Sequence, residues 1–157
     1  MSAILDNDLL VGWLLASVHL LALAIGFGAV YVRARTLQVA RFASDLRPAF
    51  FADNLWGVSG LLALGTGLWR AFGGLEKGTA YYLGQPLFLA KMGLVVLVLL
   101  LEIAPMVTLI RWRIAVRRSA SPDLTSAPRL ARASYAQLAI LCLIVFLATA
   151  VARGVRL

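Results

Sequence analysis

The sequence predicts an all-α integral membrane protein: a four-transmembrane-helix bundle with its N- and C-termini on the outer (periplasmic) side. Three observations carry that expectation. Of 157 residues, 62% are hydrophobic and 14% charged, with a mean hydropathy of +0.90, whereas roughly a quarter of a soluble domain is charged. Apolar runs close to the ~20 residues that cross a bilayer core as a helix recur along the chain. Most of the 15 basic residues crowd into two of the links between those runs.

Span one covers residues 9–32 and is free of charged side chains. Its acidic leader MSAILDND lacks the basic start of a signal peptide, so the span is read as uncleaved. Span two, 51–72, has Asp53 and Arg70 near its ends. Span three, 83–110, contains Lys91 and Glu102. Span four, 133–152, carries no charge. Pro86 suits the first turn of span three, and Pro105 is expected to kink its far end. The link 33–50 holds Arg33, Arg35, Arg41 and Arg47, and the link 111–132 holds Arg111, Arg113, Arg117, Arg118, Arg129 and Arg132. The positive-inside rule puts both links in the cytoplasm of a bacterium, with the chain multi-pass in its inner membrane. The net charge of +8 is therefore directed at the lipid bilayer and its anionic headgroups, with no nucleic acid implied. On the outer side Arg70, Lys77, Arg153 and Arg156 accompany a glycine-rich link with interfacial Tyr81 and Tyr82. The segment 119–128, SASPDLTSAP, is a turn of loop formers. One cysteine, Cys142, in an apolar run excludes a disulfide and a c-type haem attachment. The whole is one membrane domain, 1–157.

Ionisable groups inside a span are costly and become functional candidates. His19, the single histidine, lies on a helical face of small residues: Gly12, Ala16, Ala22, Gly26 and Ala29. Such a face admits another backbone or a flat cofactor. Lys91 and Arg70 are expected in the same outer leaflet. A haem b or porphyrin needs an axial nitrogen, flat apolar walls and cations for its propionates. His19 as metal ligand, Ala22 and Gly26 as wall, and Arg70 with Lys91 as cations supply that set. A second axial ligand is open among Lys91, Met92, Met106, water and His19 of a second subunit, or the iron is five-coordinate. Lys91 and Glu102 share a face of span three about 16 Å apart, too far to pair, so each needs a partner from another helix, a ligand or water. They are the candidate catalytic or proton-relay groups.

Each residue also has a plainer reading. His19 can hydrogen-bond across helices, and Arg70, Lys77 and Lys91 can snorkel. Asp53 can cap span two or pair with a loop arginine, and Glu102 can bend toward bases near Arg111. The face Asp53, Gly57, Gly60, Leu64, Gly67, Ala71 of span two reads as helix packing and points to a homo-oligomer.

The segments HLLALAIGFGAVYVR (19–33) and TGLWRAFGGLEKGTAYYLGQPLFLAK (66–91) resemble a family of small bacterial predicted membrane proteins of unknown function. A second resemblance is to HemJ-type protoporphyrinogen oxidases and CopD-like membrane proteins. These pair a first-span histidine with a following Gly-x-x-Tyr and arginine, and open the third span with a lysine. His19, Gly28, Tyr31, Arg33 or Arg35, and Lys91 fall in comparable places. That resemblance implies a haem-dependent oxidoreductase, with His19 as axial ligand, Lys91 as an essential base, and a porphyrin substrate or membrane redox partner. Where HemJ-type proteins place a second histidine, this chain has Glu102, and the tryptophan–glycine and proline–arginine motifs are not cleanly reproduced. The alternatives are a cofactor-free ion or proton transport component, and a structural assembly partner.

Overall fold

A computed structural model describes residues 2–74 and 78–155, with side chains from residue 7 onward. Lys77 and Arg156, assigned above to the outer side, lie outside the described residues. Every regular element among the described residues is helical: α1 (Ser2–Val39), a 3-10 turn (Ala43–Leu46), α2 (Arg47–Phe72), the short α3 (Thr79–Leu83), α4 (Pro86–Arg117) and α5 (Ala127–Ala152). Three of them, over Asn7–Val39, Pro86–Arg117 and Ala127–Ala152, are long and apolar enough to cross a membrane. Helix α2 is as long as α5 but is diluted by Asp53, Asn54, Arg70 and four glycines, and it is not among those three.

The helices outrun the spans read from hydropathy. Helix α1 continues through Arg33 and Arg35 to Val39, so much of the expected link 33–50 is helix. Nothing in RARTLQV breaks a helix, and arginine is a good helix former. Asp45 closes the turn that follows. Its Oδ2 accepts the backbone N–H groups of Arg41 (2.9 Å) and Phe42 (3.0 Å). Those two donors, Arg41 first, hold the Asp45 carboxyl below its ordinary value. The turn is therefore intact above the usual carboxylate range and loosens only as pH falls through the lowered value. Helix α2 takes Pro48 in its first turn, where the missing N–H is harmless. It stops at Gly73, whose N–H reaches the Trp69 carbonyl (2.7 Å), and the left-handed Gly74 (φ 78°) turns the chain away. Pro86 occupies the first turn of α4 as expected. Pro105 lies inside one continuous α4, fully buried. The turn expected at 119–128 runs between Arg118 and Ser126, because Ala127 already opens α5.

Helix α1 packs most extensively on α2 and also on α5. Helix α4 packs on α5 and touches α2 only lightly, which leaves α1 and α4 on a diagonal. The interior has three apolar layers. At the arginine-rich end Leu37, Leu46, Leu109, Trp112 and Leu130 meet. Midway, Val98, Leu141 and Ile144 form a buried cluster with Trp56 packed against it. At the other end Tyr82, Leu87, Phe88 and Val151 close the bundle. The outside is as apolar as the inside, with Leu61, Phe146 and Phe51 each about 70% exposed. A surface of this kind costs little in hydrocarbon and a great deal in water.

Candidate functional site

The most polar point of the interior is Arg33, a residue that charge patterning assigned to a loop. It sits in α1 with 0% of its side chain exposed. A guanidinium has five N–H donors in a fixed fork, and here each has an acceptor. Nε donates to Ser134 Oγ (3.2 Å), and Nη1 donates to Asp53 Oδ1 (3.1 Å) and Glu102 Oε1 (2.6 Å). Nη2 donates to Glu102 Oε2 (2.7 Å) and Gln137 Oε1 (2.8 Å). Gln137 Nε2 in turn donates to Glu102 Oε2 (2.9 Å) and the Val98 carbonyl (3.2 Å). Arg113 approaches Asp53 Oδ2 at 3.6 Å, and donates to Asn54 Oδ1 (2.9 Å) and the Phe50 carbonyl (3.0 Å). Two guanidiniums thus face two carboxylates, an electrically neutral cluster drawn from α1, α2, α4 and α5. Charges this deep are tolerated only when paired and fully hydrogen-bonded.

Glu102 therefore finds its partner on another helix, as its isolation on α4 required. The partner is Arg33, reached across the bundle diagonal, and the bases beyond Arg111 are not needed. Asp53 does pair with arginines, Arg33 and Arg113. Gln137 and Ser134 were not anticipated: uncharged polar residues three apart in an apolar helix are a weaker signal than a charge. Arg33 did have a signal, because it is the next member of the series Ala22, Gly26, Ala29 on the His19 face.

His19 lies about 21 Å further along α1. Its Nδ1 is 3.0 Å from Thr66 Oγ1, and the Thr66 hydroxyl donates to the Leu62 carbonyl at 2.6 Å. Thr66 thus offers His19 a lone pair, and Nδ1–H is the donor that matches it. The ring lies against Gly67, where an added Cβ would stand 2.9 Å from Cε1. The small-residue face of α1 does admit a close neighbour, and that neighbour is α2. A Cβ on Gly26 would meet Ser59 Oγ at 2.9 Å and the Trp56 indole at 3.1 Å. Ala22 and Ala29 are buried on the same face. Lys91 lies over the Phe88 ring of its own helix (4.5 Å to the centroid), and Arg70 is half-buried at the end of α2. Met92 packs against the apolar layer of Tyr82, Leu87, Phe88 and Val151, Met106 is exposed, and Cys142 is exposed. Among the described residues, no three His, Cys, Asp or Glu side chains gather as a metal site would require.

The family model for predicted membrane proteins named DUF2214 matches residues 11–156. The chain belongs to the DUF2214 family. The match takes in every residue of the Arg33 cluster and the His19–Thr66 pair. No curated protein and no solved structure matches the chain, and the HemJ and CopD likeness finds no support among the matches. What is established is a DUF2214 membrane protein with three apolar, membrane-length helices.

Proposed function

We propose that this DUF2214 protein is a four-span inner-membrane protein that works as an assembly partner, associating with a second copy of itself through α2, with both termini outside. Helix α2, about 39 Å long at 1.5 Å per residue, exceeds the ~30 Å core, and three polar residues along it have protein partners. Asp53 meets arginines, Thr66 meets His19, and Ser59 hydrogen-bonds the Trp56 carbonyl. The observation that carries the reading is that the ionisable groups of the Arg33 cluster are consumed in holding the helices together. Between that cluster and His19 lies the apolar layer of Trp56, Val98, Leu141 and Ile144, which is a poor conductor of protons or ions. Meanwhile Gly57 and Gly60 of α2 border open space, where an added Cβ meets nothing within 4 Å, beside exposed Val58 and Leu61. Small residues on a lipid-facing helix permit the close backbone approach that drives association in membranes.

Gly60→Leu tests this directly. The variant should fold as the parent does, by circular dichroism and thermal midpoint, while inter-chain energy transfer in liposomes falls to the level of non-interacting helices. Transfer that survives the leucine would reject α2 as the association face.

Haem b or porphyrin binding by His19 is the alternative proposal, and the Nδ1–Thr66 contact favours it, since a ligating imidazole needs its other N–H held by an acceptor. Lys91 and Arg70 would then meet the propionates. The wall is the difficulty: Trp56 and Ser59 cover Gly26, so that face does not fit a macrocycle. Purified protein, made with added haem precursor, should show no Soret band in its oxidised and dithionite-reduced spectra. A stoichiometric band lost in His19→Ala would replace the assembly reading with this one.

A further inference from the structure

At the arginine-rich end of the bundle a cavity of about 610 Å³ opens between the start of α2 and the end of α4, lined by Ser44, Arg47, Phe50, Arg113, Val116 and Arg117. Three arginines line it, with no carboxylate in the lining. Arg113 is anchored, holding Asn54 and the Phe50 carbonyl, with its guanidinium 5.3 Å from the Phe50 ring centroid. Arg47 and Arg117 make no side-chain hydrogen bond or ion pair with any described residue, and both are exposed. With Arg113 shared with Asp53 Oδ2 at 3.6 Å, the uncompensated charge of the pocket is that of Arg47 and Arg117, and a net basic pocket at the end of a membrane helix draws phosphate. Guanidinium forks grip phosphate in two-point contacts, which a lone ammonium cannot do.

The surroundings say which phosphate. Ile103, Met106, Ile110 and Ile114 are all about 40–50% exposed. Their spacing puts them in one row along α4, and Arg117 is the next position of that row. From Ile103 to Ile114 the row is about 16 Å long, close to the ~15 Å thickness of one hydrocarbon leaflet. Phe50 and Val116 continue the apolar surface into the cavity itself. We infer that this cavity binds the phosphodiester headgroup of an anionic glycerophospholipid, with Arg47, Arg113 and Arg117 on the phosphate and an acyl chain along the Ile103–Ile114 row of α4. The site goes beyond the assembly reading and does not depend on it. It needs only that α4 span the membrane, as its length and composition support.

The test uses the full-length protein in mild detergent, titrated with phosphatidylglycerol, phosphatidylcholine or inorganic phosphate, with bound lipid counted by native mass spectrometry. The protein should retain phosphatidylglycerol and not phosphatidylcholine. Arg47→Ala/Arg117→Ala should weaken retention about tenfold or more, given the attraction each base supplies. Arg129→Ala/Arg132→Ala removes the same charge from the same end, outside the cavity lining, and should leave retention unchanged. Arg47→Lys/Arg117→Lys keeps the charge and should recover only part of the binding, a result that a folding defect would not give. Equal losses in the two alanine pairs would reduce the effect to surface charge and overturn the site. Displacement of phosphatidylglycerol by equimolar inorganic phosphate would overturn the lipid assignment in favour of a soluble phosphate.

Discussion

Arg33→Met should lower the stability of the bundle by about 3–5 kcal/mol, the usual cost of removing one partner from a buried ion pair. The size follows from what is left behind. Glu102 keeps one Gln137 amide and loses both of its guanidinium hydrogen bonds, and its side chain is only 14% exposed. Asp53 keeps the 3.6 Å approach of Arg113. An unpaired carboxylate in such a place must either ionise at great expense or take up a proton. Thermal unfolding in detergent micelles reads the loss. Arg33→Lys should recover a minority of it, because three ammonium donors cannot reproduce five guanidinium contacts. The double change Arg33→Met/Glu102→Gln should recover most of it, since it removes one charge of each sign and leaves Asp53 beside Arg113. A single Arg33→Met with an unchanged midpoint would mean that the guanidinium does not occupy the core.

Gly26→Leu should separate α1 from α2. Even alanine there brings its Cβ to 2.9 Å from Ser59 Oγ and 3.1 Å from the Trp56 ring. Alanine gains about 1 kcal/mol of helix propensity over glycine, but overpacking costs ~1–3 kcal/mol. The balance turns on whether the indole can retreat. Its room is limited, because it also packs against the buried Val98, Leu141 and Ile144 cluster. Alanine should thus be mildly destabilising and leucine severely so, with Trp56 fluorescence shifting as the ring is pushed from its pocket. Gly67→Leu should act in the same way through the His19 ring, and Gly60→Leu should not. If Gly26→Leu proved as stable as Gly60→Leu, the α1–α2 seam would have to lie on other faces.

How much of this was legible depended on which physical signal each residue carries. The small-residue face of α1 was visible because helical periodicity survives in sequence, and the structure shows α2 pressed against it. What lies against a glycine is not encoded locally, so a flat cofactor and a neighbouring indole look alike until the helices are placed. Arg33 was misread for a related reason. Hydropathy marks where apolar residues stop, and a charge at that boundary reads as the first residue of a link. The helix ignores the boundary and carries Arg33 into the core, where Asp53 and Glu102 were already conspicuous as charges in want of a partner. Gln137 and Ser134 barely disturb the hydropathy of α5. Lys91, expected beside His19 as a cofactor cation, is placed by the ring of Phe88 one turn earlier on its own helix. The diagonal arrangement of α1 and α4, which makes the Arg33–Glu102 contact possible, is a property of the assembled bundle alone.

That diagonal has a consequence for how the chain is made. Arg33 is synthesised in the first helix, whereas Ser134 and Gln137 belong to the last, with |i−j| separations of 101 and 104. With only α1, α2 and α4 in place, the guanidinium has its carboxylate partners but two of its five donors are still unmatched. Only the arrival of α5 completes the set, and the same helix brings the amide that steadies Glu102. The most polar point of the interior is therefore completed by the helix furthest from Arg33 in sequence, and its hydrogen bonding is whole only when all four long helices have packed together.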